Sequence, residues 1–374
     1  MKHSILWRIM LMMGAFSMGI SSVFGADAFT PAQYSRMVFF GSSTTDGNTY
    51  PTLIQQALAE AKHPVPLCIN AGIGGNVAAE MLKRIDRDVL FYKPTMVIIQ
   101  SGSNDVSRKV PIDDYIQTVK KIIERLQAEK ILVIAVTTNI RGEKLIADEK
   151  TVVEFNDALR KLAETQNVRI ADSFSLQAKA RTDGKLVIEN DGLHPNFLGQ
   201  SLIARAILDV MGFADVPVPA KQNIKMYPGV ITEWQIKPVA DGKVLDEQSV
   251  AALAIDESWV KYKLPEIDVM TNWWLDSERQ RGFAVSLSTC IGKAKRYYGI
   301  ANIDAEKPRD VYLNTGAGLQ TIWLNGKRVY KNVEYTGWHA GRERLPVKLQ
   351  AGKNVLVIEA VDNFFLSATD VMEW

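Results

Sequence analysis

The sequence predicts an α/β protein in two parts: a flavodoxin-like three-layer domain built on a parallel sheet, then an all-β sandwich of jelly-roll type. Three observations carry this. From Arg36 to Met211, short apolar runs alternate with amphipathic stretches of helical period, the pattern of strands covered by helices on both faces. Around Phe213 to Pro219 the texture changes, and Val216-Pro217-Val218-Pro219 reads as a stiff extended linker. Beyond it strand and turn signals dominate. At 374 residues the chain has length enough for two separately buried cores.

The first buried strand is Arg36-Met37-Val38-Phe39-Phe40. A helix over 50–62 follows, with Pro51 in its first turn, where a missing N–H costs nothing. Further strands are expected at 65–70, 95–100, 131–137 and 168–171, interleaved with helices over 77–90, 112–129, 152–166 and 197–211. In sheets of this kind ligands bind beyond the carboxyl ends of the strands. In the second part, 320–324 and 327–331 flank Asn325-Gly326, a pair suited to the two positive φ angles of a tight hairpin. Ala351-Gly352-Lys353 turns into another strand over 354–360. The expected division is therefore 1–25 leader, 26–215 α/β domain, 216–221 linker and 222–374 sandwich.

The leader is read from basic Lys2 and Arg8, an apolar run over 9–20, and the closing Val23-Phe24-Gly25-Ala26. This is the grammar of a secretory signal peptide, and the run is shorter than the roughly 20 residues of a membrane span. No cysteine follows at a lipid-attachment position, so a secreted or periplasmic product without membrane insertion is expected. Taking the two basic residues of the leader from the total of 44 leaves 42 against 42 acidic, a neutral chain with no electrostatic footprint for nucleic acid. Cys68 and Cys290 fall one in each part, and Cys68 lies in an apolar strand run, so each is expected as a free buried thiol.

Four short stretches carry the chemistry: Gly41-Ser42-Ser43-Thr44-Thr45, Gly72-Ile73-Gly74-Gly75-Asn76, Gly102-Ser103-Asn104-Asp105 and Asp191-Gly192-Leu193-His194. Ser43 falls where the first strand ends, a usual position for a nucleophile. Asp191 precedes His194 by three residues, close enough to hold the ring nitrogen that faces away from a serine. The Gly75 N–H and the Asn104 amide are donors of the kind that stabilise an oxyanion, each worth about 3 to 4 kcal/mol of barrier when well aimed. Among the four histidines, only His194 has an aspartate three residues before it.

In these four blocks and their order the chain resembles the SGNH hydrolases, also called GDSL esterases, from about Met37 to Met211. The resemblance implies Ser43 as nucleophile, Asp191 and His194 as its partners, and an oxyanion hole formed by the Ser43 N–H, Gly75 and Asn104. The first block departs from the family's Gly-Asp-Ser: Ser42 replaces a carboxylate that usually braces the loop. The family also implies the substrate class, an O-acetylated polysaccharide, oligosaccharide or sialic-acid glycan, whereas the residues alone give ester hydrolysis. A lipolytic esterase or thioesterase, an O-acetyltransferase, and a glycan-binding protein with weak hydrolase activity remain the alternatives.

No cofactor or metal is expected. The Gly72-Ile73-Gly74-Gly75 run lacks the third glycine of a dinucleotide fingerprint, since that position is Val77. Asp105 and Asp191 are too few for a metal cluster, and the cysteines lack zinc spacing. In the second part, Trp273-Trp274, Trp323 and the string Tyr335-Thr336-Gly337-Trp338-His339-Ala340-Gly341-Arg342 offer aromatic platforms with polar neighbours. These suit sugar rings, with Trp338, His339 and Arg342 as candidate substrate contacts, and equally suit the packing of a sandwich core. By texture the region resembles galactose-binding-like modules.

Overall fold

The structure is a computed structural model that describes residues 28–225, 229–239, 245–264, 268–271, 285, 287–332 and 343–370. The leader, Trp273, Trp274, Trp338, His339, Arg342 and the Cys290 side chain lie outside the described residues.

Five parallel strands, β1 (Arg36–Gly41), β2 (Leu67–Gly72), β3 (Met96–Gln100), β4 (Leu132–Val136) and β5 (Arg169–Ala171), form one sheet in the order β2-β1-β3-β4-β5. This is the doubly wound order expected, with its switch point between β1 and β3. Among the described residues these strands are accompanied by the α-helices α1 (Ser43–Asp46), α2 (Thr49–Glu60), α3 (Ala78–Lys83), α4 (Ile85–Asp88), α5 (Ser103–Ser107), α6 (Ile112–Ala128), α7 (Glu149–Thr165), α8 (Ser173–Thr182) and α9 (Phe197–Met211). Alternate residues of β1 feed two cores. Val38 and Phe40 pack with α3, α6 and α7, while Met37 and Phe39 pack with α2 and α9. Helix α6 shows why the period was readable: Tyr115, Val119, Ile122, Ile123 and Leu126 are its buried face, each worth roughly 1.5 to 3 kcal/mol on burial.

Two elements differ from expectation. The helix expected over 77–90 breaks at Arg84 (φ −109°, ψ 8°), where the chain turns to bring a charged side chain inward. Helix α8 was not anticipated, because the face it buries is Ser173, Gln177 and Ala180, which carries no apolar period.

Where an all-β sandwich was expected, an antiparallel β-rich region follows. Strands β6 (Gln222–Lys225) and β9 (Asp268–Thr271) pair with each other. The seven others, β7 (Glu233–Pro238), β8 (Val260–Lys263), β10 (Tyr297–Ala305), β11 (Arg309–Leu324), β12 (Lys327–Lys331), β13 (Glu343–Leu349) and β14 (Gly352–Thr369), form one sheet. Its spine is the long pair β11 and β14, whose register shifts between Ala317 and Thr321. Asn325 and Gly326 take φ of 51° and 81°, the tight hairpin turn expected. Trp234, Trp259 and Trp323 are all buried in this region's two apolar clusters, so these three are packing residues.

The segment expected as a linker is docked. Val216 is buried in the core under α9, Val218 packs against it, and Arg205 binds the carbonyls of Phe213 and Val216. Gln56 of α2 then donates to the Lys221 carbonyl at 3.2 Å. A second contact joins the regions where Arg344, in β13, lies 5.5 Å over the Tyr92 ring. Tyr92 also accepts at its carbonyl from Arg36, the first residue of β1, so this contact is at the opposite end of the strands from Ser43. Among the described residues no helix is long and apolar enough to cross a membrane.

Candidate active site

Three of the four sequence blocks converge at the switch point. Strand β1 ends at Gly41, Ser42 precedes α1, and Ser43 is the first helical residue. The chain can turn so sharply there because glycines let neighbouring strand ends meet. A Cβ at Gly72 would fall 2.2 Å from the Asp46 backbone nitrogen, so only glycine allows β2 to end against α1. Gly74 lies beside Ser43 without such crowding, since a Cβ there would be 3.9 Å from the Ser43 Cβ, an ordinary contact.

The loop after β2 is held peptide by peptide. The Gly74 N–H donates to the buried Asp46 carboxylate at 3.0 Å, and the Asn104 amide donates to the Asn76 carbonyl at 2.9 Å. One amide proton of Asn104 is thereby committed, and the side chain has a second donor. The Gly75 carbonyl accepts from Arg108 at 2.7 Å. Arg84, buried beneath, donates from Nε to Asn76 Oδ1 (2.7 Å), from Nη1 to the Ala71 carbonyl (2.7 Å) and from Nη2 to the Gly41 carbonyl (2.8 Å), and it pairs with Asp88. Burial lowers its guanidinium from the usual value, and Asp88 opposes that shift.

Strand β3 delivers the third block. Gly102 adopts φ of 101° before α5, and Arg141 grips the turn from below through Ser103 Oγ and the Ser103 carbonyl, both at 2.8 Å. The Asp105 carboxylate takes the Ala78 N–H at the start of α3 (3.0 and 3.3 Å), so it serves to join blocks two and three. Burial raises its pKa, against the lowering pull of those N–H groups.

The fourth block comes from the loop before α9. Asp191 Oδ1 accepts from the N–H groups of Leu193 (2.8 Å) and His194 (3.0 Å), a turn that the positive φ of Gly192 (81°) completes. Glu189 and His194 close the loop at 2.8 Å, a bridge joins Ile188 to Pro195, and Asn196 caps α9 through the Gly199 N–H at 3.0 Å. The His194 ring then stands between the other blocks: its Nε2 is 2.8 Å from Ser43 Oγ and its Nδ1 is 2.6 Å from Asp191 Oδ2. Burial pulls the Asp191 carboxyl up, but the His194 and Leu193 N–H groups and the His194 ring outweigh it and hold the carboxyl below its usual value. An Nδ1–H donated to Asp191 leaves Nε2 as the acceptor for the Ser43 hydroxyl.

Sequence reasoning named Ser43, Gly75, Asn104, Asp191 and His194; the structure links Ser43, His194 and Asp191 by hydrogen bonds and joins Asn104 to the loop that carries Gly75. It did not find Arg84, Arg108, Arg141 or Asp46. Of these only Asp46 had a signal, its position three residues after Ser43. Its carboxylate, one turn of helix after Ser42, accepts the Gly74 N–H. Among the described residues no cluster of three or more His, Cys, Asp or Glu side chains is placed to hold a metal ion. Cys68 is free, its thiol pushed up to about 12 by burial.

Residues 39–202 match the model of the GDSL-like lipase/acylhydrolase family. An acetylxylan esterase from Geobacillus stearothermophilus is 26% identical over 157 residues, 39% of this chain and 72% of that protein. An arylesterase from Vibrio mimicus is 25% identical over 180 residues, 46% of this chain and 86% of the relative. Among solved structures, the acetyl xylan esterase AlAXEase is 25% identical, with a TM-score of 0.43, covering 46% of this chain and 97% of its own. With two ester hydrolases among its relatives and that family over residues 39–202, the chain carries a GDSL/SGNH hydrolase domain and is a carboxylic ester hydrolase.

Proposed function

We propose that the protein removes acetyl groups from an acetylated carbohydrate outside the cytoplasm, with Ser43, His194 and Asp191 as its catalytic triad. The carrying observation is the unbroken chain from Ser43 Oγ through the His194 ring to Asp191, at 2.8 and 2.6 Å. Ser43 Oγ attacks the ester carbonyl while His194 Nε2 takes its proton, and Asp191 steadies the imidazolium through Nδ1. The N–H groups of Ser43 and Gly75 and the free Asn104 amide proton receive the oxyanion. Collapse expels the sugar hydroxyl, which takes its proton from His194. Water then attacks the acetyl-enzyme with His194 again as base, and acetate leaves. The acetyl preference is supported by the relative named as an acetylxylan esterase, and the extracytoplasmic site by the leader over 1–25.

The test joins a nucleophile variant to a substrate panel: acetate release from acetylated xylan, and hydrolysis of p-nitrophenyl acetate and octanoate. Ser43→Ala should remove turnover by about 10³-fold or more while the protein stays folded, because a small loop hydroxyl contributes little to stability. Acetate should be strongly preferred over octanoate. A Ser43→Ala protein that retains several per cent of activity sinks the nucleophile. A steep gain with chain length makes the enzyme lipolytic and removes the carbohydrate reading.

A further inference from the structure

We infer that Arg108 is a positioning residue for the oxyanion hole, acting through the Gly75 carbonyl; the inference rests on the reading of Ser43 and Gly75 just proposed. The N–H offered by Gly75 belongs to the peptide between Gly74 and Gly75. A Gly-Gly step is the most freely rotating dipeptide a chain can contain, so its orientation must be imposed from outside. Both flanking peptides are clamped by charged groups. On one side the Gly74 N–H is held by Asp46 at 3.0 Å, and on the other the Gly75 carbonyl is held by Arg108 Nη2 at 2.7 Å. With its neighbours fixed, and Gly75 set at φ of 81°, the middle peptide has one direction in which to point.

The placement of Arg108 follows from helix geometry. It caps α5 and donates its backbone N–H to the Asn104 carbonyl at 2.8 Å, so Asn104 and Arg108 are one turn apart on the same face. Their side chains reach across to consecutive carbonyls of the same loop, Asn104 to Asn76 and Arg108 to Gly75. Arg108 Nη1 is steadied by Glu80 Oε1 at 3.2 Å, and Glu80 Oε2 in turn takes the Val77 N–H at the start of α3. The Arg108–Glu80 pair is about half exposed, so it adds little to global stability. Its use is local: it aims the one guanidinium nitrogen that fixes Gly75.

The experiment compares wild type, Arg108→Ala, Arg108→Lys and Ser43→Ala on p-nitrophenyl acetate, with active sites counted by fluorophosphonate labelling and unfolding followed by heat. Removing the clamp loosens one oxyanion donor without deleting it, so Arg108→Ala should lower kcat by about tenfold, less than the roughly hundredfold or more of losing a donor outright. KM should stay within about twofold and the melting temperature within roughly 2 °C, as for a surface substitution. Arg108→Lys, which keeps a charged donor for the carbonyl, should recover most of kcat. An unchanged kcat in Arg108→Ala overturns the inference, and so does a rise confined to KM, which would make Arg108 a substrate contact. Failure of the underlying reading looks different: Ser43→Ala would then turn over like wild type, whatever Arg108 does.

Discussion

The surroundings of Ser43 are held by residues distant in sequence, whereas the loop bearing Asp191 and His194 largely holds itself. Asp46 reaches Gly74, Arg84 reaches Gly41, and Asn104 reaches Asn76, spans of 28, 43 and 28 residues. Asp191 instead binds the N–H groups two and three residues ahead, and its side chain is 43% exposed. The nucleophile half is therefore a product of sheet packing, since its bonds exist only when β1, β2 and β3 are in register. The histidine half is a product of local turn chemistry, and the Gly142 N–H on the Gly192 carbonyl at 3.0 Å, the burial of Ile188 beside Ile140 and the Ser43 bond tie it to the rest. Loss of the packing beneath Ser43, at Arg84, should appear as lost stability, and damage at Asp191 as lost turnover in a folded protein.

Substitutions placed on either half test this division. Asp191→Asn should give the largest effect: the ring loses the partner that fixes its tautomer, and kcat falls by about 10⁴-fold with the melting temperature nearly unchanged. Steady-state kinetics beside a thermal melt decide it, and a loss below tenfold would mean that His194 is oriented by another group. Arg84→Met should show the opposite signature. It takes a donor from the Gly41 and Ala71 carbonyls and from Asn76 and leaves Asp88 to Arg87, and should cost on the order of 1 to 3 kcal/mol in denaturant unfolding. Arg84→Lys should recover only part, because one ammonium cannot match the guanidinium fork. A destabilisation by Arg84→Met of under about 1 kcal/mol would show that the sheet ends do not depend on it.

The smallest effect concerns protons, and the two halves differ in its sign. Burial raises the Asp105 pKa in the fold, so its charged form opposes folding, and stability recovers as pH falls through the folded pKa. Asp191 has a lowered pKa, so its contribution is present above the unfolded value and is lost as pH falls through the folded one. Urea unfolding between pH 3 and 6 should therefore show the stability gap between wild type and Asp191→Asn narrowing toward acid. The gap between wild type and Asp105→Asn should move in favour of wild type. Parallel pH curves for both variants would remove the distinction.

What could be read from the sequence follows the same division. The Asp191–His194 pair is legible because its spacing is its geometry, and the strands are legible because each is an apolar run between turns. The Asn325-Gly326 hairpin is local in the same sense. Arg84 was invisible for the opposite reason: it lies inside what reads as an ordinary helix, and its acceptors are backbone carbonyls of two strands, which any residue type could supply. Arg141 and Arg108 escaped likewise. Helix α8 was hidden by chemistry rather than distance, since Gln177 is buried for its bonds to Asn139 and the Gly199 carbonyl, not for its apolarity. The Asp46 contact was out of reach of any local window, because Gly74 lies 28 residues away.

Arg84 has one more consequence, for behaviour under heat. The guanidinium that steadies Asn76 is the same group that closes the ends of β1 and β2, so the loop cannot let go while the sheet stays whole. Local opening and global unfolding then share one free energy at this point, unlike the many enzymes whose active-site loops loosen first. Loosening of the Gly72–Asn76 loop on heating should superimpose on the melting curve. Thermal tolerance of this loop is thus set by the packing of the five-stranded sheet, and can be raised from its core without touching a residue near Ser43.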